Sequence, residues 1–554
     1  MSSPSQKPSQ FYYLPLLSAI MIIGGIQIGF LFYERLHGGK SLLHAGNSNR
    51  NTLEEMMNYI DQRYVDEVNT PEIVKTVIDE TLSRLDPHSV YIPAEDLADA
   101  NESLQGNFDG IGIEFSIIND TITVVSPIPD GPAAVQGILP GDKIVKVNDS
   151  LFVGEKVNNQ SVIGKLKGEQ GTKVQVSVFR EGTPDLLDFT ITRQQIPIQS
   201  VDAAYMLNAE TGFINIVSFS ATTHKEFFQA IKDLKAQGMK KLILDLRQNA
   251  GGFLTEATEI ADEFIAGRRL LVYTKSHEDE STEEYMSSVK EGEFETGDVV
   301  VLIDQFSASA SEIVAGALQD WDRALIVGRR SFGKGLVQEQ FPLSNGGVLQ
   351  LTVARYFTPA GRCIQKPYME DINAYDHELI ERYVHGEMFY SDSIAINDTT
   401  TYLSNNGRKL YGGGGITPDV FVALDSTLLS AEMYSFRAII PSFCYTYFSE
   451  IRPQMLSYET MQEFDEDFSF SDDLFEKMQT FAQKQDLKLN KKTFLNNKSY
   501  ITQELKAQLA RQIWRGNGFY YFNNKQDRDV QKALELISAN MALLLHSDKE
   551  KEAN

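Results

Sequence analysis

Cysteine is nearly absent from this chain: Cys363 and Cys444 are the only two in 554 residues. That excludes a cysteine-rich zinc site. The two could pair in an oxidising compartment, across a wide gap in sequence. Positive charge is also short. Lys and Arg total 51 against 76 Asp and Glu, a net charge of −25. Nucleic-acid binding is thereby excluded, because it needs a basic surface to displace counterions from phosphates. Histidine is sparse, 8 in all, and none lies close in sequence to Ser307, Ser309 or Ser311. Hydrophobic residues make up 42%, an ordinary share that excludes global disorder. The length calls for three or four domains instead of one core.

Charge of either sign is missing from residues 8–33. Phe11 to Tyr33 is an apolar run long enough to cross a bilayer, with Tyr12, Tyr13 and Tyr33 suited to its interfaces. The run exceeds a usual signal-peptide core, and no A-x-A cleavage site follows it. The expectation is an uncleaved transmembrane anchor at 11–33, between a tail at 1–10 and a linker at 34–50. Lys7 on one side and Arg35 and Lys40 on the other do not fix its orientation.

Residues 51–104 read as helical. Leu53, Met56, Met57 and Ile60, then Ile73, Val77, Ile78 and Leu82, recur at helix spacing until Pro87 breaks the pattern. Residues 105–195 change period: Ile111, Ile113 and Phe115 alternate, as do Val174, Val176 and Val178, which predicts a small β-module. From 196 to 425 strands alternate with helices, implying an α/β core with its site at the carboxyl ends of strands. In that core Thr223 and Glu226 read as a capping box opening a helix. The acidic stretch 276–296 reads as an exposed excursion, and 366–409 as an insertion. Residues 426–554 are amphipathic helices, clearest at Ser499–Trp514 and Asp529–Leu545, and self-association through them is expected. The fold class is thus a multidomain α/β protein with an N-terminal anchor and a C-terminal helical region.

Strand Val299–Ile303 leads directly to Ser307-Ala308-Ser309-Ala310-Ser311-Glu312. A serine where a strand turns sharply into a helix exposes its hydroxyl beside backbone N–H groups that could hold an oxyanion. The same serine serves as helix cap, since Ser309-x-x-Glu312 is a capping box. With no histidine nearby the base must be something else, and a desolvated lysine qualifies. Lys334 stands between glycines in Ser331-Phe332-Gly333-Lys334-Gly335, followed by Gln338. A phosphate-binding P-loop starting at Gly328 fails because position 335 is glycine, not Ser or Thr, and no helix clearly follows. From the residues alone, Ser307, Ser309 and Ser311 stay equivalent.

Three motifs in the β-module, Gly110-Ile111-Gly112-Ile113, Gly131-Pro132-Ala133-Ala134 and Gly137-Ile138-Leu139-Pro140-Gly141-Asp142, resemble a bacterial PDZ domain. That resemblance implies that the loop Gly110, Ile111, Gly112 and Ile113 binds the terminal carboxylate of a peptide and that the following strand pairs with it. Together with Tyr64-Val65-Asp66-Glu67, Leu85-Asp86-Pro87-His88-Ser89, Asp245-Leu246-Arg247-x-Asn249-x-Gly251-Gly252, the serine and lysine segments and Gly414-Gly415-Ile416-x-Pro418-Asp419, the chain resembles the C-terminal processing peptidases, or tail-specific proteases, over about residues 51–425.

The resemblance implies a serine endopeptidase that captures protein C-termini and cleaves with a Ser-Lys dyad, needing neither cofactor nor metal. Family spacing selects Ser309 as nucleophile, with Lys334 as its base and Gln338 holding the lysine amine. Ala310 and either Gly251 or Gly252 would form the oxyanion hole, each donor worth roughly 3 kcal/mol. Ala250 stands where the family often has a third glycine. An anchored member is expected at the bacterial inner membrane, single-pass, with its catalytic domain in the periplasm and proteins with exposed C-terminal tails as partners. The competing reading is a non-catalytic PDZ adaptor that presents substrates to other proteases.

Overall fold

The computed structural model describes residues 48–539 apart from 119, 278–281, 369–371, 396–397 and 427–429. The expected anchor at 11–33 lies outside the described residues, and among those no helix is long and apolar enough to cross a membrane. The chain divides into two compact units, Met1–Ile78 and Asp79–Asn554. The described part of the first holds the helix Ser48–Arg63 and the opening turns of Thr70–Ser83. In the second, the helical reading of 51–104 is interrupted. Val90–Ile92 is a strand, and the helix Leu97–Gln105 follows it and ends on Gly106 at φ 72°.

The β-module is a sheet ordered Ile113–Ile118, Thr121–Pro127, Lys143–Val147, Lys173–Phe179, Leu187–Thr192, with Ser150–Leu151 paired to the third strand. Val174, Val176 and Val178 point together into its core with Ile122, Val124 and Ile144, the two-residue period expected of a half-buried strand. Ile113–Ile118 is an edge strand. The helix Asn159–Leu166 buries Val162 and Leu166 in the same core.

A six-stranded sheet carries the α/β core. Val201–Met206 runs antiparallel to Thr211–Ile216, and Lys241–Asp245, Asp298–Ile303, Leu325–Gly328 and Val420–Phe421 follow in parallel. Lys241–Asp245, Asp298–Ile303 and Leu325–Gly328, in the middle of the sheet, carry unbroken apolar runs because both faces are covered. Ile214, Ile216, Leu242, Leu244, Val299 and Val301 pack against the helices Thr223–Ala236, Leu254–Asp262 and Ala310–Asp320. Phe213, Ile243, Val300, Leu302 and Val327 face the other way, onto Val530, Ala533 and Ile537 of the C-terminal helix Arg528–Ser538. The predicted capping box at Thr223 does not form: the N-cap is Thr222, whose side chain accepts from no backbone N–H of the first turn and instead donates its hydroxyl to Glu226, which also accepts from the N–H groups of Ser200 and Val201.

A second, antiparallel sheet contains Val90–Ile92, Leu336–Pro342, Val348–Phe357, Leu270–Ser276 and Thr282–Met286. The acidic excursion is therefore in part a hairpin on this sheet. The expected insertion contributes the helix Ile372–Val384, and Arg382 from it donates to the carbonyls of Ser331 and Phe332. It braces the lysine segment.

Beyond Ala431, the helices Ala431–Met455, Met461–Asp467, Leu474–Gln483, Lys491–Asn496 and Lys498–Asn523 enclose a core of Phe436, Phe443, Phe464, Met478, Ile501 and Phe522. The predicted helix Ser499–Trp514 continues to Asn523 across a kink at Arg515, and that predicted for Asp529–Leu545 is described as Arg528–Ser538. At the kink Gly516 lies so close to the edge strand Val201–Met206 that a Cβ would meet the Asp202 carbonyl oxygen at 1.9 Å. Asn517 accepts from the Ala204 N–H, which shields that edge. The apolar faces of these helices are spent within the chain itself. No disulfide joins Cys363 to Cys444, which is buried in the bundle with its thiol toward the Leu505 carbonyl.

Candidate active site

At the end of strand Asp298–Ile303, Asp304 folds the chain back by accepting from the N–H groups of Gln248, Phe306 and Ser307. Ser309 follows at φ 54° and ψ −114°, outside the wells of an ordinary L-residue, and the helix Ala310–Asp320 begins at the next position. Such a conformation costs about 1–3 kcal/mol and persists only where its surroundings impose it. The three serines now separate. Ser307 donates its hydroxyl to the Leu246 carbonyl and Ser311 to the Asn249 carbonyl, and both are buried. Ser309 instead lines a cleft of about 650 Å³, together with Gly251, Gly252, Lys334, Gln338 and Tyr356.

Glu312 holds the serine and lysine segments together. Its fully buried carboxylate accepts from the N–H groups of Ser309 (2.9 Å), Gly333 (2.7 Å) and Lys334 (2.9 Å) and from the Ser331 hydroxyl (2.5 Å). Burial pushes its pKa up to about 7, against the opposing pull of those four hydrogen bonds. The Tyr356 hydroxyl lies between the same two segments, within hydrogen-bond distance of the Ser309 and Lys334 carbonyls.

Burial lowers the pKa of Lys334, while the carboxylates of Glu312 and Asp86 pull it back up. Among the described residues its amine makes no hydrogen bond or ion pair, so nothing competes for its lone pair. Gly333, at φ 91°, lets the lysine segment lie against Gly414 and Gly415, and the Ser331 hydroxyl accepts from the Ile416 N–H. This is where the glycine run 412–415 makes its contribution.

Among the described residues Gln338 makes no hydrogen bond to the lysine, though both line the cleft. Its side-chain amide donates to the Thr352 hydroxyl (3.2 Å), which donates to Asp86 (3.0 Å). Asp86 also accepts from the N–H groups of His88 and Ser89 and from the Ser89 hydroxyl. The pKa of His88 falls to about 4 through burial first and the nearby Lys334 second, which keeps it neutral at physiological pH.

The candidate oxyanion donors divide in the same way. The Gly251 N–H is given to Asn249 Oδ1 at 2.8 Å. No hydrogen bond from the N–H of Gly252 or of Ala310 is found among the described residues. Gly251, at φ 103°, sits so near that a Cβ would meet Ser309 Cβ at 2.7 Å and the Ala310 nitrogen at 2.9 Å. In the β-module, Gly112 takes φ 74°, and the carbonyls of Ile111 and Gly112 accept from the N–H groups of Ala133 and Ile128. Ile113 opens the edge strand. The sequence marked Glu312 only as a cap, and it carried no signal for Thr352 or Tyr356.

A serine held on a strained elbow, sharing one cleft with a desolvated lysine, has the chemistry of a serine-type peptidase. Residues 210–374 match Peptidase family S41 and residues 110–191 match a PDZ domain. Residues 432–516 match a family of unknown function, DUF8443. The chain is 35% identical over 364 residues to the carboxy-terminal-processing protease of Bartonella bacilliformis, covering 62% of this chain and 82% of that one. It is 32% identical over 321 residues to the carboxy-terminal processing protease CtpB of Bacillus subtilis, covering 57% and 66%. Among solved structures it is similar to a photosystem II D1 C-terminal processing protease, with 28% identity, a TM-score of 0.33, and 58% and 91% of the two chains covered. The chain belongs to the carboxy-terminal-processing proteases of peptidase family S41.

Proposed function

We propose that this protease cleaves peptide bonds with a Ser309–Lys334 dyad, on proteins whose C-terminal tails its PDZ domain has captured. One observation carries the reading: of the three clustered serines, Ser309 alone lines the cleft that Lys334 lines, and among the described residues the Lys334 amine has no competing partner. Neutral Lys334 takes the Ser309 hydroxyl proton as Oγ attacks the substrate carbonyl. The oxyanion of the tetrahedral intermediate accepts from the N–H groups of Ala310 and Gly252. Collapse expels the amine, which receives its proton from the Lys334 ammonium and leaves an acyl ester on Ser309. Water, deprotonated by Lys334, then hydrolyses the ester. Gln338, tied through Thr352 to Asp86, steadies the wall beside the lysine.

The PDZ edge strand Ile113–Ile118 supports capture by strand addition, with the Gly110–Ile113 loop receiving the terminal carboxylate. The uncharged run 11–33 supports anchoring in the bacterial inner membrane with the catalytic domain in the periplasm. Purified full-length protein should cleave a substrate with an apolar C-terminal tail, and Ser309→Ala and Lys334→Ala should each abolish cleavage. Near-wild-type cleavage by Lys334→Ala would sink the dyad. Ile113→Asp should weaken binding of the tail peptide while cleavage of an untailed peptide is retained; unchanged tail affinity would remove the PDZ loop from the reading.

A further inference from the structure

The acidic turn that opens the C-terminal helix reaches beneath the catalytic centre. Asp527 caps that helix, accepting from the N–H groups of Asp529 (3.0 Å) and Val530 (3.1 Å). It also accepts from Arg247 Nη1 at 3.0 and 2.9 Å. Asp529 accepts from the same nitrogen at 2.9 Å and from both terminal nitrogens of Arg329 at 3.1 and 3.0 Å. Both arginines and Asp529 are almost wholly removed from solvent. Burial raises the Asp529 carboxyl, and the two guanidinium groups more than reverse that, holding it below its usual range.

The two arginines occupy corresponding places on neighbouring segments. Arg247 follows strand Lys241–Asp245 and stands five residues before Gly252; Arg329 follows strand Leu325–Gly328 and stands five residues before Lys334. Between them lies the segment that carries the nucleophile, and Gln305 in it accepts from Arg329 Nε at 3.2 Å. Short links pass the position on. The Gln248 N–H binds Asp304 at 3.0 Å, and the Ala308 N–H binds the Asn249 carbonyl at 3.0 Å. Asp527 and Asp529 lie beyond the ranges matched by Peptidase family S41 and by DUF8443.

We infer that Asp529, helped by Asp527, is a positioning residue of the protease, clamping the oxyanion segment and the lysine segment at a fixed separation from below. This rests on the Ser309–Lys334 reading for its catalytic consequence, though not for the clamp itself. Without the Asp529 charge, Arg247 keeps Asp245 and Asp527, but the buried Arg329 guanidinium loses its carboxylate partner and the bridge between the two arginines is broken, so the segments they carry spread. A displacement of this kind, even of an ångström, weakens turnover more than binding.

The test uses the full-length protein carrying Asp529→Asn or Asp527→Asn. Asn at 527 still caps the helix, so that variant removes charge without removing the cap. In folded Asp529→Asn, kcat should fall by about tenfold to a hundredfold while KM and the affinity for a tail peptide stay put. Asp527→Asn should show a smaller loss of the same kind. Hydrogen exchange should quicken in both 246–254 and 329–336, with 113–118 unchanged. A kcat within about twofold of wild type, or a loss that merely follows the folded fraction, overturns the inference. If Asp529→Asn does not fold, Asp527→Asn decides by the same criteria. Cleavage surviving in Ser309→Ala would defeat the dyad instead, and the exchange measurement would still judge the clamp.

Discussion

Adding one methyl group to Gly251 tests whether the glycine loop is built around the nucleophile. The residue stands at φ 103°, where an L-side chain costs about 1–3 kcal/mol. Its new Cβ would meet Ser309 Cβ at 2.7 Å, the Ala308 oxygen at 2.8 Å and the Ala310 nitrogen at 2.9 Å. Ordinary contacts start well beyond those distances, and relieving such overpacking costs about 1–3 kcal/mol more. Gly251→Ala should therefore destabilise by about 2–6 kcal/mol.

Relief of that clash means moving Ser309 or Ala310, and a misplaced oxyanion donor costs about a hundredfold to a thousandfold in kcat. Gly267 is the matched control: it also has positive φ, 70°, but nothing lies within 4 Å of its added Cβ. Gly267→Ala should lose about 1 kcal/mol and no activity. Thermal unfolding and kcat on a tailed peptide, measured for both variants, complete the comparison. If Gly251→Ala keeps wild-type turnover, or the two variants unfold alike, the packing of the glycine loop on Ser309 is wrong.

Four further outcomes follow from the hydrogen bonds and charges around Lys334. As the proposed base, Lys334 would act only when neutral, and its pKa is lowered by burial, so activity should rise with pH and level off below the ordinary lysine value. Glu312→Gln removes a carboxylate that raises Lys334, so this limb should move toward acid; a limb that stays fixed refutes the coupling. Wild-type Glu312, lifted to about 7, binds its proton more tightly folded than unfolded. Its contribution to stability is complete below the unfolded carboxyl value and is lost as pH rises through about 7. Denaturant unfolding at several pH values should show that loss in the wild type and not in Glu312→Gln. Thr352→Val cuts the link from Gln338 to Asp86; it should cost about 1 kcal/mol of stability and lower kcat more than KM, whereas unchanged kinetics would leave Gln338 without a supporting role.

Periodicity and local chemistry made much of this protein readable before its coordinates. The alternation of Val174, Val176 and Val178 signalled a β-module, and Val299–Ile303 signalled a strand of the α/β core running into the serines. The elbow at Ser309 was visible because a strand ran straight into a capping box. What stayed hidden depends on contacts distant in sequence. Ser307 and Ser311 are disqualified by the carbonyls of Leu246 and Asn249, some sixty residues earlier, and no local pattern records that. Gln338 was expected on the lysine, but Thr352, on the neighbouring strand, takes its amide. The C-terminal helices displayed apolar faces that carried an expectation of self-association, and the sheet of the α/β core covers the face of the last one.

That last helix also sets a schedule for biosynthesis. Ser309 and Lys334 are complete long before Val530, Ala533 and Ile537 arrive to close the second face of the sheet. About 195 residues separate Lys334 from Asp529, roughly 10–40 s of synthesis at common rates. For that interval the growing chain holds every residue of its dyad while one side of the sheet beneath it lies open.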